Sequence, residues 1–213
     1  MSTTITETST LIGETYMGEF LSAGDGAALT ITSTAPNSIV TGGLIDGNGA
    51  SWGLKLPNNT GAHINNAIIR GGTERALDIV RGGQIEFNNC HFDANGDRAK
   101  IGTRFSMRKQ CDIGIKGGAR EIYFRDCTFN DVLLGDYSIY DHFGTLPRVD
   151  RIWFINCRTP DGGPIIVRAL NANRPVCVNT DIAYIKVPQV AVEIYFQYCR
   201  HFGDTRAPKQ NAI

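Results

Sequence analysis

Ile85-Glu86-Phe87-Asn88-Asn89-Cys90-His91-Phe92 returns as Ile122-Tyr123-Phe124-Arg125-Asp126-Cys127-Thr128-Phe129 and again as Ile152-Trp153-Phe154-Ile155-Asn156-Cys157-Arg158-Thr159. A further copy reads Ile194-Tyr195-Phe196-Gln197-Tyr198-Cys199-Arg200-His201. All share Ile-x-Phe-x-x-Cys, and self-similarity of this kind is the signature of a stacked repeat. Two weaker copies precede them, Ala62-His63-Ile64-Asn65-Asn66-Ala67 and Ile39-Val40-Thr41-Gly42-Gly43-Leu44. They are spaced by 23 residues when read from 44 to 67 and from 67 to 90.

Ile and Phe, two apart, face the same way on a strand, because side chains alternate with period two. The next apolar position comes three residues on, at Cys, so two successive residues face outward and the strand must bend between them. Asn66, Asn89, Asp126 and Asn156 occupy the position before Cys, with Gly43 in the first copy. These residue types tolerate the left-handed backbone that a corner demands. Short apolar runs fill the intervals, among them Leu54-Lys55-Leu56, Leu77-Asp78-Ile79-Val80 and Ile165-Ile166-Val167, separated by Gly-rich or Asn-rich turns. No amphipathic helical stretch stands out. The pattern predicts an all-β chain, a right-handed parallel β-helix of about six coils, with a β-sandwich as the alternative.

The expected organisation is an N-terminal cap or arm over 1–37, the β-helix over 38–203 and a C-terminal tail over 204–213, with insertions near 96–110 and 169–189. The first insertion follows from the interval Cys90 to Cys127, 37 residues against 23 for the coil before it. The second follows from the 42 residues between Cys157 and Cys199, where Pro175 and Pro188 cannot donate to a ladder and imply irregular or edge segments.

The 213 residues carry 21 basic and 21 acidic side chains, so no global field points to nucleic acid or to an anionic membrane, and neither is expected as a partner. The opening Met1-Ser2-Thr3-Thr4-Ile5-Thr6-Glu7-Thr8 lacks the basic and apolar regions of a secretory signal, and no run of 18 apolar residues occurs. A soluble product of the host cytoplasm is expected. Six cysteines occur with no metal-type spacing, which reads as reduced core thiols, no metal and no cofactor.

Ile45-Asp46-Gly47-Asn48-Gly49-Ala50, followed by Asn-rich coils ending in x-Asn-Cys-x-Phe, resembles the pectate-lyase-like β-helix superfamily over residues 38–203. That superfamily includes polysaccharide lyases, polygalacturonases and phage spike or decoration proteins; the resemblance implies the fold and leaves the chemistry open.

Asn179-Thr180-Asp181 matches a triplet of polygalacturonase-type hydrolases, but no Asp-Asp pair or Gly-His-Gly accompanies it, and inverting hydrolysis needs a second carboxylate. The bland reading places Asn179 and Asp181 outward at a strand entry. A lyase-like site would need a base and a cation near an enolate, for which Asp141, His142 and Arg148 are the candidates; solvated loop charges are the alternative. The insertion carries Arg98, Lys100, Arg104, Arg108 and Lys109 around Phe105, opposed by Asp97, a composition suited to an acidic protein surface or an anionic glycan.

With no complete catalytic constellation, the sequence leads to a non-enzymatic virion protein, a capsid decoration protein or short spike. It would dock as a homo-oligomer, a trimer for instance, on a shell of major capsid protein. The rival expectation is a polysaccharide-binding or polysaccharide-degrading β-helix.

Overall fold

The computed structural model describes residues 2–18, 26–72, 75–93, 111–130, 133–134, 149–168, 172–185, 194–200 and 210–212. The N-terminal strands are β1 (Thr3–Ile5), β2 (Thr10–Ile12), β3 (Thr15–Met17), β4 (Ala27–Ile31), β5 (Ser38–Thr41) and β6 (Leu44–Asp46). The middle of the chain forms β7 (Trp52–Asn65), β8 (Ile68–Arg70), β9 (Arg75–Asn88), β10 (His91–Asp93), β11 (Cys111–Arg125), β12 (Thr128–Phe129) and β13 (Leu133–Leu134). It ends with β14 (Val149–Ile155), β15 (Ile165–Arg168), β16 (Ala172–Val178), β17 (Ile182–Ile185), β18 (Ile194–Gln197) and β19 (Gln210–Ala212). No helix occurs among the described residues, and their strand pairings are parallel.

Three parallel sheets result, with orders β1-β4-β7-β9-β11-β14-β16-β18-β19, β12-β10-β8-β6-β3 and β13-β15-β17; β5 joins the first by pairing with β2 and β7. Each element pairs with its counterpart one repeat away, so the molecule is all-β and built of stacked parallel strands in the manner of a solenoid. The strands β1, β2 and β3, all before residue 37, pair with β4, β5 and β6, and β19 pairs with β18.

The repeat sets the core. Ile85, Ile122 and Ile152 share one register row, and Phe87, Phe124 and Phe154 share the next inward row. All six are buried. The Phe87 and Phe124 rings stack at 5.1 Å and those of Phe124 and Phe154 at 5.6 Å, while Phe92 and Phe129 form a second column at 5.2 Å. The two columns meet edge to face, Phe92 lying 5.8 Å from Phe124 at 82°, the arrangement that the ring quadrupoles favour.

The bend is a ladder of left-handed corners: Asn66, Asn89, Asp126, Asn156, Asn179 and Tyr198 have φ of 55°, 51°, 54°, 54°, 46° and 54°. The corner amides from Asn66 to Asn179 each donate to a carbonyl of the next coil, as Asn89 N–H does to Arg125 O and Asn179 N–H to Gln197 O. Their side chains form amide ladders, Asn89 Nδ2 donating to Asn66 Oδ1 and Asn179 Nδ2 to Asn156 Oδ1, both at 2.9 Å. A second set of positive φ, at Asn58 (50°) and Arg81 (60°), turns the long strands β7 and β9.

Cys fits the position after the corner because its thiol is small, apolar and still a donor. Cys90 Sγ donates to Ile64 O at 3.3 Å and Cys157 Sγ to Phe124 O at 3.4 Å, each reaching the carbonyl of the preceding coil. Cys90, Cys127, Cys157 and Cys177 are buried free thiols.

Two differences from the sequence reading stand out. The first copy is displaced by one residue: Gly42 N–H donates to Asn65 O, as Asn66 N–H does to Asn88 O, so Gly42 rather than Gly43 is the corner. The spacing there is 24 residues, as in the pair Asp46 and Arg70. Gly43 falls in the Cys row, where an added Cβ would meet Glu14 O at 2.0 Å. The second difference is a rung within the long interval from Cys157 to Cys199. Strand β16 aligns Pro175 with Ile152 and Cys177 with Phe154. Pro175 and Cys177 are buried, Asn179 makes the corner, and Thr180 occupies the Cys row. Thr180 Oγ1 donates to Phe154 O at 3.1 Å, the bond a cysteine makes elsewhere, and accepts Cys157 N–H at 2.9 Å.

Candidate functional site: an outward charged face and a polar cleft

The basic insertion residues Arg98, Lys100, Arg104, Phe105, Arg108 and Lys109, and the lyase-type candidates Asp141, His142 and Arg148, lie outside the described residues. The surface that can be built atom by atom is the outer face of the large sheet, made by the residue between Ile and Phe in each repeat. Register puts His63, Glu86, Tyr123, Trp153, Val176 and Tyr195 in one outward row. Gln84, Glu121, Arg151 and Arg174 form the row on one side of it, and Asn88, Arg125 and Ile155 lie on the other.

Several charges on this face pair across rungs. Glu86 accepts from Arg125 at 3.2 Å and lies 3.7 Å from His63; Glu121 lies 3.5 Å from Arg151 and accepts the Tyr123 hydroxyl at 2.8 Å. Desolvation, reinforced by the Glu121 carboxylate, raises the Tyr123 phenol above its ordinary pKa. The Arg125 guanidinium sits over the Tyr123 ring at 4.4 Å, and Tyr123 stacks on Trp153 at 5.7 Å with 11° between planes. Because these two residues are register partners on adjacent rungs, their ring faces look along the stack, towards each other. The Trp153 indole N–H is enclosed with no hydrogen-bond partner among the described residues.

Arg75 and Asp78 form a fully buried ion pair at 2.6 Å. The Arg75 side chain crosses Gly114 so closely that an added Cβ would lie 2.3 Å from its Cδ and Nε. Such a pair serves structure: removing one partner strands the other charge away from water. Among the described residues no group of three or more His, Cys, Asp or Glu side chains is placed to hold a metal ion.

A polar cleft of about 180 Å³ opens beside the corner ladder, between Asn156, Asn179 and Asp181 on one side and Arg158, Gly162 and Gly163 on the other. The outer wall is a tight turn in which Thr159 N–H donates to Gly163 O and Gly162 N–H to Thr159 O, with Gly162 at φ 82°. Asp161, in the same turn, accepts the Thr159 hydroxyl, which lowers its pKa. Asp181 accepts the backbone N–H, Nε and Nη2 of Arg200, and chiefly that side-chain bond holds its carboxyl below the ordinary carboxylate range. Arg158 is exposed, and its guanidinium has no ion-pair partner among the described residues.

The outward row was open to reading from the repeat, since Glu86, Tyr123, Trp153 and Tyr195 are the variable residue of Ile-x-Phe. The cleft was not, because Arg158, Asn179 and Asp181 converge only once Thr180 is recognised as the Cys of a rung. No family model matches the chain, and comparison with curated proteins and with solved structures gives no match either.

Proposed function

We propose that the chain is a right-handed parallel β-helix of about six coils that works without catalysis as a virion structural protein, a capsid decoration protein or short spike docking as a homo-oligomer on a protein shell. The observation that carries the non-catalytic part is the use of charge on the outward face. Glu86 and Glu121 are both engaged by cations, so neither is a free base or a proton donor poised near a second carboxylate. The aromatic pair supports protein docking over sugar binding, because Tyr123 and Trp153 turn their faces to each other and present edges to solvent. The virion setting rests on the sequence resemblance. In this reading the segment carrying Arg98, Lys100, Arg104, Phe105, Arg108 and Lys109 anchors the chain on the shell.

The test is co-sedimentation with the parent particle, comparing wild type with the double variant Arg104→Ala, Arg108→Ala. The reading expects wild type in the pellet, weaker retention of the variant, and release as salt rises through the physiological range. A wild-type protein that is monomeric and stays in the supernatant at every salt concentration contradicts it.

A further inference from the structure

Several charges of the described surface are paired across rungs, whereas Arg158 lines a cleft and has no ion-pair partner among the described residues. Glu86, Glu121, Asp46 and Asp181 are taken by Arg125, Arg151, Arg70 and Arg200. Arg158 makes no ion pair among the described residues, and it shares the cleft with the amides of Asn156 and Asn179, the glycine turn and the Asp181 carboxylate. Asn156 is engaged in that ladder, its Nδ2 donating to Asp126 Oδ1 at 3.0 Å and its Oδ1 accepting from Asn179 at 2.9 Å. Asp181 is locked by Arg200, so its charge is already offset at the cleft wall.

We propose that this cleft is a carboxylate-binding subsite in which Arg158 receives an aspartate or glutamate side chain of a protein partner. The inference deepens the docking reading and rests on it for the source of the carboxylate. Arg is suited to the role, since its planar fork binds a carboxylate through two parallel hydrogen bonds. At about 180 Å³ the cleft has room for a carboxylate with its short stem and lies below the roughly 300 Å³ at which pockets for drug-sized ligands begin. The lining contains no aromatic ring against which a sugar could stack. Asp161, close to Gly163 across the turn, is the one nearby carboxylate whose described partner is an uncharged hydroxyl, and it opposes an incoming anion.

The experiment is a titration of the full-length, isotope-labelled protein with N-acetyl-glutamate amide, followed by the amide shifts of Gly162 and Gly163 and the Nε shift of Arg158. N-acetyl-glutamine amide and galacturonate serve as parallel probes at matched ionic strength. The glutamate probe is expected to saturate, with affinity about tenfold above the glutamine probe and above galacturonate. Arg158→Gln should weaken it about tenfold, Arg158→Lys less, and Asp161→Asn should tighten it by about two- to threefold. Because Arg158 is exposed, Arg158→Gln should melt at the wild-type temperature, which separates lost binding from lost fold. Equal responses to glutamate and glutamine, or an unchanged titration in Arg158→Gln, overturn the subsite; preference for galacturonate hands the cleft to a sugar acid and overturns the protein partner. Co-sedimentation of Arg158→Gln keeps the two readings apart. A normal titration with no particle association in wild type refutes the docking reading and with it the protein source, whereas particle association unaffected by Arg158→Gln removes the cleft from the interface.

Discussion

Rungs at the centre of the stack and the rung at 172–180 perform the same turn with different residues. In the centre, Ile85, Phe87 and Cys90 are followed by Ile122, Phe124 and Cys127 and then by Ile152, Phe154 and Cys157. In the later rung Pro175, Cys177 and Thr180 fill those three rows, so Cys177 interrupts the Phe row between Phe154 and Phe196. What persists across both is the left-handed corner, Asn156 and then Asn179, and a side chain after it that bonds the preceding coil. The repeat therefore has two separable parts: an interchangeable apolar filling, and a corner whose conformation and hydrogen bonding are required.

The filling should show the largest single effect where it is aromatic. Phe124 contacts both columns, stacking on Phe87 and Phe154 and meeting Phe92 and Phe129 edge to face. Phe124→Ala should lower stability by about 3–5 kcal/mol in a denaturant titration. A loss under about 1 kcal/mol would mean that the column is not packed.

The corner side chain should come next. Thr180→Val keeps the shape but leaves Cys157 N–H without its acceptor, a loss of about 1–3 kcal/mol. Thr180→Cys rewrites the later rung in the language of the central ones and should retain most of that stability. If valine is tolerated as well as cysteine, volume rather than bonding governs this row.

The corner conformation follows at similar or smaller size. Asn156→Ala keeps a Cβ in left-handed backbone but loses the polar side chain that makes it acceptable there and two bonds of the amide ladder, for about 1–2 kcal/mol, whereas Asn156→Gly has no Cβ, adopts the conformation freely and should lose less. The same denaturant titration checks the order; alanine equal to glycine would show that the backbone there is not strained.

The smallest effect lies at the exposed pair closing the later rung. Arg200 depresses the folded pKa of Asp181, so the pair's contribution is complete above the unfolded value near ~3.9 and disappears as pH falls through the lower folded value. Melting temperatures of wild type and Asp181→Asn should differ slightly at neutral pH and converge in acid. A difference that widens in acid would have the wrong sign.

The same division explains what could be read from the sequence. Ile-x-Phe-x-x-Cys was visible wherever filling and corner both kept their commonest residues, which yielded the parallel stack and the inward Phe and Cys rows. The slip at Gly42 and Gly43 arose because two adjacent glycines both allow a corner, and only the hydrogen bond to Asn65 O distinguishes them. The rung at 172–180 was hidden because proline in a strand argues against regular pairing and threonine does not resemble cysteine, although its hydroxyl does the same work. Asn179-Thr180-Asp181 drew notice as a hydrolase-like triplet, while its structural roles are corner, rung side chain and partner of Arg200. The cleft at Arg158 depends on that rung, so the repeat alone does not reveal it.

The corner account is tested most directly by hydrogen exchange at the Cys157 amide, read residue by residue in wild type, Thr180→Cys and Thr180→Val. Because Cys157 N–H donates to Thr180 Oγ1 at 2.9 Å within the buried stack, slow exchange is expected in wild type and in the cysteine variant, with protection lost in the valine variant. Fast exchange at Cys157 in wild type, or equal protection in all three proteins, would contradict the assignment of Thr180 to the corner ladder.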